Sequence, residues 1–170
     1  LPSKSGSSYV VYLDFGGHII STSTNWTTIS DLHAVAYDNS IYDDDTTFTS
    51  SELNDIAEIW YRVAEDYAPF DVDVTTEEPI NFTSTTGRLL FTRGTTDANN
   101  QAMPSSGAGG VAYLNVFGDF YGSGTYVNNY SPAFVYYYPQ VLDDPNTQEN
   151  EARSGYHFPP YLAEAASHEF

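Results

Sequence analysis

The stretch TSSELNDIAEIWYRVAEDYAPFDVDVTT, residues 49–76, decides the fold class. Thr49 followed three positions later by Glu52 is a capping-box pattern, in which each side chain satisfies a backbone N–H at a helix start. Leu53, Ile56, Ala57, Trp60, Val63, Ala64 and Tyr67 then recur at helical spacing and put one apolar face on the helix. Glu58 and Arg62 form a favourably oriented i, i+4 pair. The pattern predicts a helix from Ser51 to Tyr67, with Trp60 in the core. It ends before Ala68-Pro69, because the residue preceding a proline is driven out of the helical region. Phe70 to Thr76 then alternates acidic and apolar residues, the signature of a half-buried strand. Asp71 and Asp73 fall on one side of it. A solvated strand face is the expected reading, with paired-carboxylate acid–base chemistry as the rival.

Working outward, Tyr9–Phe15 is a nearly continuous apolar run that ends at Gly16-Gly17, as expected of a central strand covered on both faces. Residues 19–47 read as a long polar loop with short extended pieces. Gly87–Arg93, Val111–Phe117 and Ala133–Tyr138 are further strand-type runs, separated by polar and Gly-rich loops. Val141–Ser154 is a polar connection. Pro159-Pro160 suits the first turn of a second helix, where a missing N–H is no loss. The order is strand, helix, four strands, helix. That predicts one α+β (α/β-like) domain over residues 1–170, with a mixed sheet and two principal helices.

Composition narrows the function classes. The chain has 170 residues, long enough for a proper core, and 23 acidic against 5 basic residues give a net charge of −18. Nucleic acid and anionic membrane surfaces are not expected partners, because both require clustered Lys and Arg. No apolar run approaches the roughly 20 residues of a membrane span. There is no cysteine, hence no disulfide framework and no thiol chemistry. Asp38, Asp43, Asp44 and Asp45 could collect calcium through carboxylate oxygens, but EF-hand spacing is absent, and a solvated acidic loop is the competing reading. His18, after the Gly-Gly turn, reads as an ordinary loop histidine, and His157 stands at no recognised zinc spacing from His168. The Gly-rich run 105–110 lacks the Lys-Ser/Thr end of a phosphate loop.

The last ten residues, Tyr161-Leu-Ala-Glu-Ala-Ala-Ser-His-Glu-Phe170, carry the chemistry. A His-Glu pair on a helix opens the H-E-x-x-H motif, in which two histidines one turn apart hold zinc and the glutamate is general base. Here His168 and Glu169 are present, and the second histidine would fall two positions beyond Phe170. Glu164, one turn before His168, either orients the imidazole or is solvated.

Ala163–Phe170 resembles the start of the active-site helix of secreted bacterial metzincin-type zinc metallopeptidases. Val11–His18, the run from Phe48 through Pro79 and, more weakly, Gly109–Tyr113 resemble one branch of that group, in the same order; together these stretches touch about half the chain. The resemblance implies the N-terminal subdomain of a catalytic domain, incomplete at its C-terminus: a mostly parallel twisted sheet of about five strands, a backing helix, and the active-site helix last. It further implies zinc as cofactor, His168 as first ligand and Glu169 as catalytic base. Gly110, Val111, Ala112 and Tyr113 would be the sheet edge that pairs with a peptide substrate. Calcium is a second candidate ion. The missing C-terminal subdomain of the same parent chain would be a partner. The chain by itself is then not expected to be a working protease, and the apolar side of its terminal helix would be left exposed. Two other classes stand beside this one. A secreted non-catalytic module could use calcium and some of the fifteen tyrosines to bind glycans, and an interaction domain could end in His-Glu by accident.

Overall fold

The computed structural model describes residues 1–38, 47–114, 116, 129–137 and 159–169, the last without its side chain. Among the described residues the fold is α+β, with a mostly parallel five-stranded mixed sheet and two helices. In chain order the strands are β1 (Tyr9–Asp14), β2 (His18–Ile20), β3 (Leu32–Ala34), β4 (Val72–Thr75), β5 (Thr86–Arg93), β6 (Gly110–Val111) and β7 (Ala133–Tyr137). The helices are α1 (Ser50–Tyr67), between β3 and β4, and α2 (Pro159–Glu169). The main sheet runs β4-β1-β5-β7-β6, parallel throughout except for the antiparallel edge strand β6. Strands β2 and β3 form a separate antiparallel pair within the expected loop 19–47. No helix among the described residues is long and apolar enough to cross a membrane.

The capping box closes as the sequence requires. The Glu52 N–H donates to Thr49 Oγ1 at 3.3 Å, and the Thr49 N–H donates to Glu52 Oε2 at 2.7 Å. The buried stripe of α1 is Glu52, Ile56, Ile59 and Val63. Leu53, assigned to the apolar face by its spacing, is instead 52% exposed. Trp60 is partly buried against the core and donates its indole N–H to the Val74 carbonyl at 2.9 Å, tying α1 to β4.

The sheet is covered on both faces. Val11, Leu13, Leu89, Phe91, Val135 and Tyr137 point toward α1 and α2. Leu90, Phe134 and Tyr136 point the other way, against Ile20, Leu32 and Met103. Two-sided burial explains why β1 and β5 read as continuous apolar runs. Helix α2 buries Leu162, Ala163 and Ala166 in the first of these cores, so its apolar side is not left exposed. Two small residues allow the close approach to α1.

Two readings are corrected. Asp73 is not on a solvated face: it is 8% exposed, and its Oδ1 accepts the Ser3 and Lys4 N–H groups at 2.7 and 2.8 Å. Also, of the strand expected over Val111–Phe117, the described residues pair only at Gly110–Val111; residues 115 and 117 lie outside the described residues.

The Asp73 contacts belong to a larger arrangement. The Ser3 N–H donates to the Val74 carbonyl at 3.0 Å, Pro2 bridges antiparallel to Thr75, and the Ser8 N–H donates to Asp71 Oδ2 at 3.2 Å. The N-terminal arm thus lies along the outer edge of β4 and occupies its backbone groups. An Asp73→Ala variant is expected to lose about 2 kcal/mol of stability, since backbone donors bonded to a charged acceptor lose their partner. Amide exchange at Ser3 and Lys4 should accelerate while that of β1 stays protected. Unchanged protection at both amides would show that the arm is held by other contacts.

Candidate functional site

Helix α2 presents His168 by simple periodicity. Leu162, Ala163 and Ala166 face the core, so Tyr161, Glu164 and His168, at i, i+3 and i+7, form the opposite, exposed stripe. The helix is fixed near its end by Ser167, whose hydroxyl donates to Asp66 Oδ2 on α1 at 2.6 Å. It packs on α1 and β7 and touches β6. The His-Glu pair therefore sits on an anchored helix that also contacts an edge strand.

The backbone of that edge has a defined polarity. The Tyr136 N–H donates to the Gly109 carbonyl at 2.9 Å, and Gly110 pairs in register with Val135. Hydrogen-bonded and non-hydrogen-bonded pairs alternate in an antiparallel ladder, so the Gly110 N–H and C=O point away from β7, off the sheet. Among the described residues no further strand pairs with β6. Ala112 and Tyr113 follow outside the ladder. Tyr113 is 39% exposed, and its hydroxyl donates to the Asn25 carbonyl at 3.2 Å.

The donor chemistry for a metal is incomplete. His168 is one exposed imidazole, and no group of three His, Asp or Glu side chains among the described residues could hold a metal ion. These residues do not by themselves make a zinc site. Of the four aspartates in the calcium reading, Asp38 lies beside Tyr137, whose hydroxyl is pushed to higher pKa by burial and then by that carboxylate. Asp43, Asp44 and Asp45 fall outside the described residues, as does His157.

A second cluster, not singled out by the sequence, stands at the carboxyl end of β1. Asp14 is 2% exposed and is paired with Arg88, which also reaches Glu78 at 2.7 Å. The Arg88 guanidinium lies 5.2 Å from the Tyr12 ring centroid and 4.5 Å from that of Phe82. Burial pushes the Asp14 carboxyl up, and Arg88 beside it pulls the other way. The signal was available in Arg88 itself, a cation at the start of an apolar run in a very acidic chain. His18 opens β2 rather than a loop. It lines, with Gly16, Gly17, Ile19, His33, Ala34 and Ala98, a shallow depression distinct from the α2 face. Gly17 is required there: its φ is +79°, and an added Cβ would meet the Ala34 carbonyl oxygen at 2.8 Å.

The chain matches no family model, no curated protein and no solved structure.

Burial, then the nearby Arg88 charge, lowers the His18 pKa to about 4. A histidine that stays neutral when folded, but protonates when unfolded near its ordinary value of about 6.5, favours the unfolded state as pH falls. Stability is therefore expected to drop between about pH 6.5 and 4 through this group. His18→Asn should flatten that part of the curve, and the imidazole Hε1 resonance should titrate near pH 4. Titration near 6.5 with an unchanged stability profile would overturn the assignment.

Proposed function

We propose that this chain is the N-terminal part of the catalytic domain of a secreted, metzincin-type zinc endopeptidase. Its substrate is a peptide, bound in extended form. The observation that carries the reading is one juxtaposition: the anchored helix bearing His168 and Glu169 touches an edge strand whose Gly110 N–H and C=O point off the sheet. Outward-facing backbone groups are what a peptide needs to add itself as another strand. Further support comes from the mostly parallel five-stranded sheet, the backing helix α1 and the position of α2 last in order. The resemblance implies each of these features.

Zinc, when bound, supplies Lewis acidity toward water and a carbonyl. Of this chain's residues, His168 would be one ligand and Glu169 the acceptor of the water proton. The remaining ligands lie outside the described residues. The exposure of His168 is consistent with a site completed by groups that close over that face.

The test is made on the gene product that carries this chain. Glu169→Gln is expected to lower peptide hydrolysis at least about 100-fold while zinc stays bound, because a general base contributes roughly that much or more. His168→Ala is expected to lower zinc content itself, measured by metal analysis after dialysis. Substantial turnover by the Gln variant, or full zinc occupancy in the Ala variant, would sink the assignment.

A further inference from the structure

The strand edge that carries the proposed peptide site is bordered by a wall of three aromatic side chains. Trp26 and Tyr113 have ring centroids 4.4 Å apart, and Tyr113 and Tyr130 4.7 Å apart. Trp26 in turn meets Phe134 of β7 edge-to-face at 5.0 Å. The wall therefore belongs to the sheet face on which Phe134 and Val111 lie opposite one another. It is held by polar contacts that join three separate segments. The Trp26 indole N–H donates to the Tyr130 carbonyl at 3.2 Å, the Tyr113 hydroxyl to the Asn25 carbonyl at 3.2 Å, and the Asn25 N–H to the Asn129 carbonyl at 2.7 Å. A ring fixed on both sides loses little freedom when something stacks on it, which favours a binding role over a merely solvated tyrosine.

We propose that Tyr113, backed by Trp26 and Tyr130, selects an aromatic side chain in an extended peptide paired along β6. The proposal rests on the peptide reading of that edge and adds a specificity to it. A peptide bonded to the Gly110 N–H and C=O places alternate side chains on the face of Val111 and Tyr113. Such a side chain becomes a cross-strand neighbour of the partly exposed Tyr113 ring, and aromatic pairs are favoured at that spacing. The opposite edge of the same sheet shows how an extended segment docks here. Residues 2–4 bond to β4 through their backbone, and side-chain contacts from Asp73 fix their position.

The experiment titrates the isotope-labelled 170-residue chain with two acetylated, amidated pentapeptides, Ser-Thr-Phe-Thr-Ser and its Ala-centred counterpart, read by amide chemical shifts. Both are expected to move the Gly110 and Ala112 amides, with the Phe peptide bound about tenfold more tightly, on the scale of an aromatic pair plus ring burial. Tyr113→Ala should bring the ratio near one, and Tyr113→Phe should keep it. Independently of any variant, nuclear Overhauser contacts are expected between the peptide ring and Tyr113. Equal affinity of the two peptides, a ratio that survives Tyr113→Ala, or the absence of those ring contacts would overturn the proposal and leave the edge reading standing. No movement at Gly110 with either peptide would remove the edge reading, and this proposal with it. Response of the wall to an N-acetylglucosamine trimer but not to peptides would reassign it to glycan binding.

Discussion

The constraint on which the structure depends is the pairing of backbone groups at the two edges of one sheet. A five-stranded open sheet has two edges, and each leaves a row of N–H and C=O groups that invite another strand. This chain treats them differently. At β4, Pro2, Ser3 and Lys4 return to the sheet and are locked by the buried Asp73 carboxylate. At β6, the ladder is two residues long, antiparallel to its neighbour, and turns the Gly110 groups outward. One edge is closed by the chain's own first residues, whereas among the described residues no strand covers the other, which lies beside α2 and the aromatic wall. The proposed function follows from that asymmetry more than from any single side chain.

The second organising feature is electrostatic. With a net charge of −18, each buried carboxylate must find donors or a cation. Asp73 uses backbone N–H groups of the arm. Asp97, fully buried, accepts the N–H groups of His33, Asn99 and Gln101 at 2.9, 2.8 and 2.8 Å, and so ties β3 to the loop after β5. Burial alone would raise its pKa, but the three donors outweigh it and hold the carboxyl below its ordinary value. Asp14 uses one of the few cations, Arg88, itself enclosed by Tyr12 and Phe82. Removing one partner of such a buried pair costs several kcal/mol, roughly 3–5, because the other charge is stranded. These three carboxylates fix the arm, the β2–β3 pair and the carboxyl end of β1, and hence the loop that carries Trp26.

The α+β class, α1 with its capping box, the two-sided burial of β1 and the start of α2 at the double proline were legible from residue order. Each depends on interactions within a few positions: a cap, a 3.6-residue period, a fixed proline φ. The His168–Glu169 pair was legible as a motif. The placement of His168 on the exposed stripe of α2, a helix that touches β6, was not, because it depends on which face Ala163 and Ala166 bury against α1 and β7.

Everything that joins distant segments was decided by tertiary structure. Alternation placed Asp73 on a solvated side, but the arm, some seventy positions earlier, covers it. Spacing assigned Leu53 to the core, whereas the face of α1 that packs on the sheet buries Ile59 and leaves Leu53 exposed. The run from Val111 to Phe117 has strand composition throughout, yet among the described residues only Gly110 and Val111 find a partner on β7, since pairing needs a neighbour as well as propensity. Trp26, Tyr113 and Tyr130 are scattered in sequence and meet only once β6 docks antiparallel on β7. The sequence by itself determined the capped helix, the central strands and the presence of the His168–Glu169 pair on a terminal helix. Only the fold decided which strands form the edges of the described sheet and what stands beside them, because strand order arises from contacts that no local period encodes.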